Sequence, residues 1–189
     1  MLISHDREKL INAIVYFLTN TRNCGIAKLC KLLYYLDFLH FRETGRSVTG
    51  LSYYAWDFGP VPQELYMEVR NNPLPDLRES VYFAFNKGKS FAPMRAGKSF
   101  DDKHFSKREL RILEDVAFIF KDTTAEDISE ASHLPNHPWD ETIKTKGLKG
   151  EISYTLAIDE SERSISLEEA LERISDSEVI KKAFSGKRI

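Results

Sequence analysis

The sequence predicts a mainly helical α+β fold: a compact domain around one buried helix, with a small antiparallel hairpin beside it. Three observations carry that expectation. From Cys24 to Gly45 a helical period runs through Ile26, Leu29, Leu33, Leu36 and His40, while Tyr34, Tyr35, Phe38 and Phe41 occupy the other faces. A helix apolar nearly all round must be enclosed by its own domain, because a surface helix keeps one polar face. Two capping-box signatures, Ser106 to Glu109 and Ser166 to Glu169, open further helices with apolar stripes behind them. Finally, the strand signals are short aromatic runs punctuated by Gly and Pro.

In chain order, a first helix is expected from about Asp6 to Thr19, with Leu10, Ile14, Phe17 and Leu18 on one stripe. Asp6 and Glu8 complement the positive end of its dipole. The short polar connection 20–25 makes the central helix its antiparallel neighbour, and Gly45 supplies a left-handed C-cap. Residues 47–50 read as a turn and 51–58 as an aromatic strand. Gly59-Pro60-Val61-Pro62 is expected to fall outside any regular ladder, since neither proline has an amide hydrogen to donate. Pro62 pre-sets the first turn of a helix that Asn71 to Pro75 ends.

Residues 81–85 and 90–94 flank a glycine-containing turn and predict a hairpin. Residues 96–104 read as a polar loop. The helix behind Ser106 buries Leu110, Leu113, Ala117 and Phe120, and a shorter one capped by Thr124 buries Ile128 and Ala131. Residues 132–139 form a proline-bounded corner, with a helical turn over 139–143 and a basic loop over 144–150. Residues 152–158 are either a late strand or irregular cover. The last helix opens with Leu167, Ala170, Leu171 and Ile174, and the residues from Lys181 onward read as a mobile tail. No linker or repeat divides the chain. A single domain spans 1–189, with its core over about 6–143 and a C-terminal extension over about 150–189.

A chain of 189 residues can bury a real core, and 30% charged residues is ordinary for a soluble protein. A net charge of −2 argues against non-specific nucleic-acid binding. Cys24 and Cys30, six apart, do not meet on a helix, so both are expected reduced and buried in a reducing compartment. The charged N-terminus is unlike a signal peptide, and no stretch has the length and purity of a membrane span. The expected location is the cytoplasm.

No catalytic constellation emerges. His133 and His137 have helical metal-pair spacing, but Pro135 and Pro138 break the helix that would bring them together. No metal and no cofactor is expected. Asp37 and His40 share a helix face, which allows either an acid–base pair for a small hydrolase or a core histidine held by the carboxylate; the second is the expected case. Phosphate-loop and nucleophile-elbow motifs are absent from the sequence. The lysines at 144, 146, 149, 181, 182 and 187 are interrupted by acidic residues and read as solvated charge. The remaining candidate is an interaction surface. Tyr54, Trp56 and Phe58 beside the rigid Gly59 to Pro62 turn would expose large aromatics on a pre-organised frame.

The combination Leu29-Cys-Lys-Leu-Leu-Tyr-Tyr-Leu-Asp37, Gly45, Thr49-Gly50, Tyr53-x-Ala55 and Gly59-Pro-Val61 resembles the Panacea domain of GepA and SocA-like antitoxins. Ser132-His133 and Trp139 resemble that family's second motif, and the resemblance spans roughly residues 8–139. It implies a bacterial or prophage, phage-associated protein that binds and neutralises a partner toxin without catalysis. A second role it implies is that of an adaptor delivering a toxin to a protease. Some members carry an added DNA-binding segment; this sequence opens almost directly with the domain, which argues against direct DNA binding. The expected partner surface or its scaffold comprises Tyr54, Trp56, Asp57, Phe58, Gly59, Pro60, Val61 and Pro62, buttressed by His133 and Trp139.

Overall fold

A computed structural model describes residues 5–83 and 94–185, and it is mainly helical. The helices are α1 (Asp6–Asn20), α2 (Ile26–Thr44), α3 (Gln63–Asn71), α4 (Pro75–Ser80), α5 (Lys107–Ile119), α6 (Ala125–Ser132), α7 (Pro138–Lys146) and α8 (Leu167–Ser185). Two antiparallel pairs complete it: β1 (Tyr54–Trp56) with β2 (Gly59–Val61), and β3 (Val81–Phe83) with β4 (Met94–Ala96). A 3-10 turn spans Tyr154–Ala157.

Helix α2 is the axis, packed by α1, α5, α6, β2 and the 3-10 turn. Leu29, Leu32, Leu33 and Leu36 have no exposed surface, each contributing roughly 1.5–3 kcal/mol of burial. Gly45 ends the helix in the expected left-handed conformation, φ 64°. The enclosure also takes in residues that are not apolar: Lys28, Lys31, Asp37, His40 and Thr44 are all buried. Every one of them must therefore find a partner in a surrounding segment. Lys28 Nζ donates to the carbonyls of Arg22, Lys121 and Thr123, fastening both the α1–α2 and α5–α6 connections to the helix.

Asp37 and His40 do not hold each other, which corrects both readings of that pair. The Asp37 carboxylate accepts from the amides of Val48 and Thr49 at 2.8 Å, from Thr49 Oγ1, and from Tyr53 Oη at 2.7 Å. It is consumed in tying the 47–49 turn and Tyr53 to the helix. His40 Nδ1 instead meets the Arg46 carbonyl at 2.7 Å and Thr44 Oγ1. On a helix, a three-residue step puts two side chains on one side, but each here has a nearer backbone partner.

The ladder β1–β2 corrects the expectation for the proline turn. Tyr54 pairs with Val61, Ala55 with Pro60 and Trp56 with Gly59, closing on the two residues Asp57 and Phe58. Pro60 is tolerated because Ala55 spends its own hydrogen bonds on the other side. Its amide donates to the Gly150 carbonyl and its carbonyl accepts from the Lys149 amide. Pro60 therefore sits opposite a residue that asks it for no donor. The regular strand is also shorter than 51–58, and the 149–152 segment zips its outer edge through the Tyr54–Glu151 bridge. Residues 152–158 thus prove to be cover ending in a 3-10 turn.

The described part of the second hairpin pairs Val81 with Ala96, Tyr82 with Arg95 and Phe83 with Met94, so β4 runs on past the expected limit at Met94, while 84–93, which hold the rest of the expected strands, lie outside the described residues. Its turn, with Asn86 to Lys89, lies outside the described residues. Both Ser106–Glu109 and Thr124–Asp127 form reciprocal capping boxes. At α8 Ser166 Oγ caps the Glu169 amide, whereas Glu169 turns to Arg173. Helix α7 runs on through Lys146, shortening the expected basic loop. Helix α8 continues to Ser185, where a tail from Lys181 was expected. Cys24 and Cys30 are free and buried, and desolvation pushes their thiols up to about 11 and about 12. No helix is long and apolar enough to cross a membrane, among the described residues.

Burial pushes the Asp37 carboxyl up to about 6, against four hydrogen bonds that favour its charged form. The folded state thus holds this proton more tightly than the unfolded chain does. Its contribution is complete below the unfolded value near 3.8 and is lost as pH rises through about 6. The unfolding free energy of the wild type minus that of Asp37→Asn should fall by on the order of 2–3 kcal/mol between pH 4 and 6. Denaturant titrations at each pH measure it, and the subtraction cancels the other carboxylates.

Candidate binding site

The ten expected site residues gather at one end of α2. Three segments converge there: the β1–β2 hairpin, the start of α3 and the α6–α7 corner. Their roles differ. Gly59, Pro60, Val61 and Pro62 are buried, so the proline turn is framework. Tyr54, Trp56, His133 and Trp139 are half-buried, and Asp57 and Phe58 at the turn are exposed. Phe58 has 80% of its surface in solvent.

The framework is held from α2 by Lys31, which is not among the residues expected at the site. As an edge strand, β2 has a carbonyl at Pro60 that points off the ladder into the interior. Lys31 Nζ donates to it at 3.1 Å, filling a place another strand would otherwise take. Burial lowers the Lys31 ammonium to about 8, so it still carries its proton at neutral pH. A lysine inside an otherwise apolar helix was the available signal, because lysines are almost never fully buried without a partner.

The corner packs on the same point. Trp139 Nε1 donates to the Trp56 carbonyl at 3.0 Å, and its ring stacks on His133 at 4.0 Å between centroids. On the outer side Trp56 meets the edge of Tyr66 of α3. His133 Nε2 is buried without a hydrogen-bond partner. Desolvation and the Lys31 charge both lower its pKa, keeping the ring neutral. His133 ends α6 and His137 precedes α7, so proline-separated helix ends divide the two histidines. Among the described residues no cluster of three or more metal-ligating side chains forms.

Gly59 is where these parts meet. Its φ is 98°, and a Cβ there would come within 2.6 Å of Ser132 Oγ, 2.7 Å of Lys31 Cε and 3.0 Å of His133 Nε2. Neither the backbone angle nor the space admits a side chain. Gly59→Ala should therefore lower stability by roughly 1–3 kcal/mol, measured by chemical denaturation. Gly147→Ala is the comparison: that glycine has a positive φ of 77° but no atom within 4 Å of a Cβ. It should cost less, isolating the part due to crowding.

Nothing among curated proteins and no solved structure matches the chain. A family model, described as antitoxin SocA-like, Panacea domain, matches residues 29–140. That span runs from Leu29 of α2 through the hairpin to Asp140, one residue beyond Trp139, and so contains every part of the site just described. It covers more than half of the sequence, and the chain belongs to the SocA-like antitoxin family that carries the Panacea domain.

Proposed function

We propose that this protein is an antitoxin-type binding module that neutralises a cognate toxin by docking it on the β1–β2 hairpin tip. The toxin would be encoded by an adjacent gene, and the pair would act in the cytoplasm of a bacterium or its prophage. The observation that carries this reading is Phe58. A large aromatic side chain stands 80% exposed on a two-residue turn whose base is tied down on both sides. An exposed Phe on a mobile loop would lose entropy on binding, whereas here the ordering has been done in folding. Asp57 beside it adds a charge, so the fitting partner surface is an apolar pocket with a basic rim.

The buried framework supports a role in recognition without chemistry: Asp37 and His40 are enclosed and occupied with backbone partners. In co-expression with the adjacent gene product, the wild type should relieve growth arrest. Phe58→Asp should fail to do so and should weaken the purified complex by at least about 30-fold, a hot-spot loss. Its circular dichroism and melting temperature should stay at wild-type values, since the side chain touches little of its own fold. Full rescue and unchanged affinity from Phe58→Asp would sink the reading. Toxin abundance in the same cells separates occlusion, which leaves it constant, from delivery to a protease, which lowers it.

A further inference from the structure

A second apolar feature lies away from the hairpin tip. At the far end of α2 a cleft of about 270 Å³ opens between α2, α5 and the loop before α8. Leu39 and Ile112 line it, with Phe118 and Ile119 on the same rim. Those two residues are 82% and 62% exposed, at the very end of α5. Three arginines and two carboxylates line the cleft. Glu43 and Asp115 both engage Arg111, and Arg42 reaches out to Asp159. Arg163 has no acidic partner among the described residues.

The same chain carries a shape and charge that match it. Helix α8 has its buried anchor near its start, where Ala170 is buried and Arg173 Nη1 donates to the Thr44 carbonyl. Past Ile174 no described side chain is buried. Val179 and Ile180 stand exposed one turn beyond Asp176, which continues a four-residue ladder from Glu168 and Glu172. Those three carboxylates have no basic partner among the described residues. At 1.5 Å rise per residue, Val179 lies about 9 Å beyond Arg173 along the axis. A straight α8 therefore projects its apolar end off the body it is anchored to.

We propose that the distal half of α8 from one copy docks in the α2–α5 cleft of a second copy. Val179 and Ile180 would cover Phe118 and Ile119, and the Glu172–Asp176 ladder would face Arg163 and Arg111. The projecting helix and the receiving cleft are distinct patches on one chain. Reciprocal exchange closes a two-fold dimer that buries both contacts. This interface is independent of the hairpin tip, so its failure leaves the toxin-binding reading untouched.

The test is light scattering and sedimentation equilibrium on the full chain, from micromolar to sub-millimolar concentration and at low and high salt. The mass should rise from 21.8 kDa toward twice that value, and the association should weaken with salt. Phe118→Glu and Ile180→Glu should each weaken association by at least about 30-fold. Both positions are solvent-exposed, so the folds should remain intact by circular dichroism. Mixing the two variants should restore part of the dimer, because one cleft and one helix end in the mixture are still unaltered. A monomer at every concentration overturns the proposal. So does a dimer that persists in both variants, or a mixture that recovers nothing.

Discussion

A helix enclosed on all sides that nonetheless carries two lysines, an aspartate, a histidine and a threonine is the constraint from which the rest of the structure follows. These residues are buried, and an unpaired polar group in the interior costs about 1–3 kcal/mol, more when charged. Each surrounding segment is therefore held where α2 needs a partner. Lys28 fixes the connections that follow α1 and α5. Lys31 fixes the hairpin, Asp37 the 47–49 turn, and His40 with Thr44 the exit of α2 at Arg46. Apolar contacts supply most of the stability, but they are non-directional and would tolerate several poses of these loops. The polar contacts select one.

That distinction gives the hairpin its character. Replacing a whole buried ion pair by well-packed apolar groups is often neutral or favourable, so a buried charge is weak evidence of added stability. Lys31 is then understood by what it positions: the carbonyl edge of a strand too short to be held by its own ladder. With Trp139 on the opposite side and Gly59 allowing Ser132 and His133 to close in, the turn at Asp57 and Phe58 has a single seat. Binding gains from such pre-organisation because the cost of ordering has already been met during folding.

Apart from the short α4, which carries none of these signals strongly, the helices were legible from the sequence, because period, capping boxes and a C-cap glycine are local signals. Ser106, Thr124 and Gly45 do in the structure what their residue types require. The candidate site was legible only as a neighbourhood, in that the ten positions come together in the structure. Their division into exposed tip and buried frame was not. Whether Pro60 can sit in a ladder depends on where Ala55 sends its hydrogen bonds, and those go to residues 149 and 150, about ninety positions away. Lys31 was overlooked for the same reason, since its partner is a backbone carbonyl that no residue identity announces. The Asp37–His40 spacing misled because a helix face shows which side chains are close, and says nothing of better partners arriving from elsewhere.

The most direct test is native-state hydrogen exchange on the wild type and Lys31→Met. Methionine keeps the apolar stem and removes the ammonium that reaches Pro60. Exchange should accelerate at the amides of the β1–β2 hairpin, at least about tenfold and more than at α1 and α2, with any global loss within the roughly 1–3 kcal/mol that an unpaired Pro60 carbonyl costs. Equal protection of the hairpin in the two proteins would contradict the account, as the turn that presents Phe58 would then owe its pose to apolar packing alone.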